Sequence, residues 1–158
     1  MSRIIMSCCA LLLSLLLTTT LHAETTTIHA GKLITATDKN VREQMTIIVK
    51  DNTITQVLPG FQTPEDSSML IDLSDYTVMP GLMDMHTHLS YQHGGPSTYM
   101  KRVQYNEADY AFDAAHYAQK TLMAGFTTVR NLGDSFNETV ALRNAINRGV
   151  AVGPRLAY

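Results

Sequence analysis

The stretch VMPGLMDMHTHLS, Val78 to Ser90, carries two histidines one residue apart, His86 and His88, shortly after a Pro-Gly pair. Histidine is a common metal ligand, so the first chemistry to weigh is joint ligation of one ion. Whether the pair can do so depends on the backbone beneath it. On a helix, with about 3.6 residues per turn, positions two apart lie about 200° round the axis and cannot share an ion. On a strand they point to one face, about 6.6 Å apart along the chain. Two imidazoles can then lean onto one ion at about 2.0–2.1 Å per bond. Asp84 would share that face, and Met83, Met85 and Thr87 would point the other way. Periodicity leaves strand and helix open, because Leu82, Met83 and Met85 also suit a helix that Pro80 could start. On spacing alone, two solvated or hydrogen-bonded histidines are the simpler reading.

Other candidates carry less. His93 in QHGGPS lies on a loop where a substrate contact is conceivable, but an exposed histidine beside a flexible Gly-Gly-Pro turn explains it more plainly. His116 falls within a helical pattern and His29 within a strand, neither with an evident partner. Tyr91, Tyr99 and Tyr105 could line a pocket or simply cover the core. Asn137-Glu138-Thr139 matches a glycosylation sequon, yet it also suits a helix start, which is the reading preferred.

The elements that must position these residues come in two styles. From Thr25 to about Asp75, β-branched residues alternate partially and Asp51-Asn52 separates two runs, as in a hairpin. Ile47, Val49, Ile54 and Val57 are expected on the buried side of that sheet. After Gly81 the rhythm becomes strand, helix, strand, helix. NEADYAFDAAHYAQKTLMAG places Ala108, Ala111, Phe112, Ala115, Ala118 and Leu122 on one helical face, with Asn106 as N-cap and Gly125 beyond the C-terminus. FTTVRN is a short strand, NETVALRNAINRG a second helix and RLAY the start of another strand. A repeating βα rhythm implies a parallel sheet, open or closed into a barrel. An eight-unit barrel needs roughly 250 residues, so the chain is expected to be an incomplete piece of something larger.

The first residues are of another kind. Arg3 precedes an apolar run from Ile4 to Leu17, then threonines and Ala23, and the first acidic residue is Glu24. That order is the layout of a secretory signal peptide with cleavage after Ala23. The apolar run is shorter than the roughly 20 residues of a membrane span, so no stable membrane anchor is expected after cleavage. Export to the periplasm or outside the cell follows. Both cysteines, Cys8 and Cys9, lie in the leader, which leaves the mature chain without thiolate ligands or a cysteine nucleophile. A net charge of −2 with 16% charged residues gives no reason to expect nucleic acid as a partner.

Three blocks in order are more specific than any one of them. VMPGLMDMHTHLS resembles the strand-one signature of the amidohydrolase superfamily, in which Pro-Gly, apolar residues and Asp precede His-x-His. TLMAGFTTVRNLGD, Thr121 to Asp134, resembles its strand two, and AGKLIT with IIVKDNTITQV is similar to the small β-sandwich beside the barrel. Within the superfamily, YQHGGPSTYMKR and the exported leader look most like the prolidase and imidazolonepropionase branch.

The resemblance implies an α/β fold: the N-terminal part of a (β/α)8 TIM-type barrel after a small β-sandwich. The boundaries would be 1–23 for the signal peptide, 24–80 for the sandwich strands, and 81–158 for two βα units and the start of a third strand. It implies His86 and His88 as metal ligands of one or two divalent ions, zinc first among them. It also implies a substrate that is a small molecule or dipeptide, Xaa-Pro dipeptides or N-acyl amino acids, and a possible homo-oligomer at full length. Further ligands and the general-base Asp would lie downstream, so no catalytic residue is expected within 1–158, and this stretch alone should be inactive. Asp84 and His93 remain candidates for supporting and substrate contacts. Asn131 stands where the family usually has Asp, which puts a carboxylate role there in doubt. The alternative is a non-catalytic truncated product or a secreted binding module.

Overall fold

A computed structural model describes residues 24–158 apart from positions 66, 93 and 95, so the leader and His93 lie outside the described residues. The chain divides into two compact units between Met79 and Pro80. Among the described residues no helix is long and apolar enough to cross a membrane.

The first unit is one mixed sheet with strand order β3-β2-β1-β4. Its strands are β1 (Thr25–Leu33), β2 (Arg42–Lys50), β3 (Thr53–Pro59) and β4 (Met69–Val78). Lys50 pairs with Thr53 across the Asp51-Asn52 turn, and Asp51 has the positive φ of 53° that such tight turns demand. β4 runs parallel to β1, with a register shift between Ala30 and Lys32. Gly31 lies at that shift because a Cβ there would collide with the Ser74 carbonyl. Ala30, Leu33, Met45 and Ile47 form the buried cluster, flanked by Ile28, Val49 and Val78. Ile54 and Val57, expected beside them, are exposed. Among the described residues the unit has a single sheet, so the face of β3 that carries them meets no second layer.

The second unit is a parallel three-stranded sheet in the order β5-β6-β7. β5 (Leu82–Thr87), β6 (Phe126–Asn131) and β7 (Arg155–Ala157) alternate with helices α1 (Pro96–Gln104), α2 (Glu107–Met123) and α3 (Glu138–Asn147). Pro96, read as part of a loop, thus opens helix α1. Asn106 caps α2 in a full capping box with Asp109, and Gly125 follows with φ 94°. The helix buries Tyr110, Ala114 and Ala118; Phe112 and Ala108, expected on that face, are exposed. Ala114 and Ala118 are fully buried beside Val129, Leu142 and Leu156, and their small side chains let the helix lie close to the sheet. α3 starts at Glu138 with Thr139 fully buried, which favours the helix-start reading of the sequon.

Candidate metal centre

His86 is the penultimate residue of β5 and His88 follows its end, so the strand reading of the pair holds. Their ring centroids lie 5.5 Å apart at 63°. In the pairing of β5 with β6, Asp84 falls opposite Val129 and Thr87 opposite Asn131, with a register shift between. Thr87 therefore shares the face of Asn131, and alternation puts His86 and His88 on the opposite face. The same shift takes Asp84 out of their row, because three steps on β5 span two on β6. That corrects the expectation of a shared face. Asp84 instead accepts the His86 backbone N–H at 2.9 Å, although it borders the same groove as both histidines. The Met85 carbonyl within the irregularity takes a hydrogen bond from Arg130 Nε at 3.0 Å, which supplies a partner where the ladder is disturbed.

His88 is held more closely. Its Nδ1 lies 3.1 Å from the Gly133 carbonyl and 3.2 Å from the Tyr91 hydroxyl, and the Tyr91 ring stacks on it at 5.4 Å. A carbonyl can only accept, so the bond to Gly133 puts the proton on Nδ1 and the ring's lone pair on Nε2. Metal-ligating histidines are oriented in this way, through an N–H given to a carbonyl or carboxylate. The donor set therefore fits one half of a metal site. Among the described residues no group of three His, Cys, Asp or Glu side chains comes together, whereas a catalytic zinc takes three protein ligands and water.

Behind His88 lies a buried polar chain. Asn131 accepts the Leu89 N–H at 2.9 Å and donates to the Gly133 carbonyl at 3.1 Å and to Thr139 Oγ1 at 3.0 Å. Thr139 donates in turn to Asp134. Asp134 also accepts N–H bonds from Asn137 and Thr139, so it caps α3 although Asn137 occupies the cap position and makes no side-chain cap bond. Sequence reasoning named Asn131 but missed its partners Gly133 and Thr139, Asp134 behind Thr139 and Tyr91 as a partner of His88. Nothing in residue type marks a backbone carbonyl as a histidine's partner.

A cavity of about 310 Å³ adjoins Tyr91 and is lined also by Lys101, Arg102, Tyr105, Tyr110 and Phe136, among others. Two of the three candidate tyrosines, Tyr91 and Tyr105, line it. Lys101 is committed to Asp113 at 2.6 Å and sits over the Tyr105 ring. His116 is exposed on α2. His29 bonds the Gln62 carbonyl and stacks on Phe61, well apart in sequence from the pair and within the first unit.

The profile of the amidohydrolase family matches residues 77–158, just over half of the chain. The chain belongs to the amidohydrolase family. A structure of a Xaa-Pro dipeptidase with methionine bound in its active site is similar at 38% identity and a TM-score of 0.78, covering 84% of this chain and 32% of that one. A protein from Bifidobacterium longum described as a prolidase is similar at 34% identity and a TM-score of 0.65 over 85% of this chain and 30% of its own. Ochratoxinase of A. niger follows at 26% identity and a TM-score of 0.66, over 85% and 31%. No curated protein matches. This amidohydrolase chain thus spans about a third of the length of the structures it resembles, and its second unit is the first part of their barrel, incomplete here. The likeness to prolidases agrees with the branch anticipated from the motifs.

Proposed function

We propose that the complete protein is a metal-dependent hydrolase that cleaves the amide bond of dipeptides, Xaa-Pro among them, or of N-acyl amino acids. The observation that carries the reading is the imidazole pair at the C-terminal end of the first parallel strand, the end at which barrel enzymes build their sites. His86 and His88 would hold a divalent ion, zinc in this reading. When bound, such an ion polarises a carbonyl and brings the pKa of a bound water toward neutrality. This chain's own part is to supply two imidazole nitrogen donors, one of them fixed in its tautomer, and to wall the adjoining groove. The remaining ligands and the general base belong to the rest of the complete protein, so residues 1–158 alone should bind metal weakly and lack activity. The similarity to a Xaa-Pro dipeptidase supports the substrate class. The leader supports export, which N-terminal sequencing of the mature protein would test; a start at Glu24 is expected.

The full-length protein, reconstituted with zinc, should hold the metal stoichiometrically and hydrolyse an Xaa-Pro dipeptide or an N-acyl amino acid. His86→Ala and His88→Ala should each lower the metal content and abolish turnover. Undiminished hydrolysis by both variants would end the reading.

A further inference from the structure

We propose that Asn131 is a positioning residue: through the Gly133 carbonyl it keeps the His88 proton on Nδ1 and so leaves the ring's lone pair on Nε2, the nitrogen that would meet a metal. This inference rests on the metal reading above and adds the device that sets one ligand.

The argument starts from polarity. The Gly133 carbonyl lies 3.1 Å from His88 Nδ1 and 3.1 Å from Asn131 Nδ2. An oxygen with two lone pairs can take both donors at once. The direction of that carbonyl then decides which ring nitrogen carries the proton. The Tyr91 hydroxyl at the same nitrogen can donate or accept, so it cannot decide between tautomers.

Asn131 is itself held in a single sense. It is almost fully buried, its Oδ1 faces the Leu89 N–H, and the two hydrogens of Nδ2 face Gly133 and Thr139. Thr139 spends its own hydrogen on Asp134 and so receives from Asn131. Turning the amide over would set Oδ1 against the Gly133 carbonyl and Nδ2 against the Leu89 N–H. No other residue type of this size offers one acceptor and two donors. A carboxylate here would keep the Leu89 bond but present lone pairs to the Gly133 carbonyl, which would have to turn away from it and from His88. Asn131 is therefore matched to its surroundings in this chain.

The test uses the full-length protein freed of metal, with zinc as the probe. Two quantities are read: zinc affinity by chelator competition, and the His88 ring tautomer by nitrogen-15 NMR without metal. The wild type is expected to show the Nδ1–H tautomer. Asn131→Asp should weaken zinc binding by about 10- to 100-fold and leave His88 in mixed tautomers. Wild-type affinity and tautomer in Asn131→Asp would overturn the proposal, as would a proton on Nε2 in the wild-type protein. Should Asn131→Asp fail to fold, Tyr91→Phe decides: an unchanged tautomer supports the carbonyl as the determinant, and a switched one refutes it. Failure of the metal reading looks different, since a wild-type protein that holds no zinc but keeps the Nδ1–H tautomer would sink that reading and leave the hydrogen-bonded chain standing.

Discussion

Each unit buries a threonine completely, and the two cases serve different ends. In the first unit Thr46, in the middle of β2, donates to the Gly60 carbonyl at 2.7 Å and accepts the Gln62 N–H at 2.9 Å. It pins the connection after β3, with no histidine pair at hand. In the second unit Thr139 lies at the start of α3 and belongs to the chain that ends at His88. A buried hydroxyl is costly unless it is bonded, and both are fully bonded. Satisfaction therefore does not separate a structural polar group from one that supports a site; what separates them is what stands at the far end. In the first unit that is a turn whose Gln62 carbonyl bonds the lone imidazole of His29, in the second one member of an adjacent pair of imidazoles.

The two units should also differ in how they answer intrusion, and here the largest effect is expected. Gly31→Ala would drive a Cβ into the Ser74 carbonyl, a backbone atom that cannot retreat without parting β1 from β4. A loss of about 3 kcal/mol or more is expected, at or above the usual overpacking range. At Gly153 the nearest obstacle is Ile146 Cδ1 at 2.7 Å, the far end of a flexible side chain that can swing aside, with Ala118 Cβ next at 3.0 Å. Gly153→Ala should cost about 1 kcal/mol. Urea denaturation of the two variants measures both, and equal losses would erase the distinction between a rigid wall and a yielding one.

Next in size is the pair of threonines. Thr139→Val leaves the Asn131 amide and the Asp134 carboxylate each short of a partner, and should cost about 2–3 kcal/mol. Thr46→Val strands two backbone groups at the partly exposed edge of a turn, where water can reach them, and about 1–2 kcal/mol is expected. Denaturation midpoints give the order; a larger loss at Thr46 would place the more demanding polar network in the wrong unit.

Local signals made much of this legible before any coordinates. FTTVRN is β6 from first residue to last, because β-branched residues bounded by Gly125 and the following Gly133 leave little choice. The Asn106 cap was readable because its partners lie two and three residues away. Helix α1 was not readable: Gly94 and Pro96 are turn residues, and exposed Tyr99, Met100 and Val103 give the segment no single apolar face. The burial expected for Ile54 and Val57 failed because alternation reports a face, not whether anything covers it. At the site, the histidine spacing was visible but the irregularity at Met85 was not. A one-residue slip depends on the pairing with β6, so Asp84 could not be assigned a face from β5 alone.

The helix caps sharpen the contrast within the second unit at a smaller scale. Asn106→Ala removes the acceptor for two backbone N–H groups and should destabilise by about 1 kcal/mol. Asn137 has φ 60° and no side-chain cap bond, since Asp134 performs that task. Asn137→Gly should therefore be neutral or slightly stabilising, glycine being at ease at positive φ. Thermal melts of the two variants test this, and a comparable loss at both positions would mean that Asp134 is not the effective cap of α3.

The smallest effect is one of pH. Asp113, hydrogen-bonded to the Lys101 ammonium at 2.6 Å, holds that proton well above the ordinary lysine value of 10.5, against a smaller opposing effect of burial. A raised folded-state pKa means the contribution of Lys101 is complete at all pH values below the unfolded pKa, where both states carry the proton. It is lost only as pH rises toward the folded value, where the unfolded chain releases the proton first. Between neutral pH and about 9 the pair should thus give no slope in stability, and above the ordinary lysine range a decline should begin. Because tyrosines ionise in the same interval, the comparison must be with Asp113→Asn, which should lie below wild type at neutral pH and fall less steeply in alkali. Parallel curves across the alkaline range would mean that the contact does not hold the proton, and that the link between α1 and α2 owes nothing to charge.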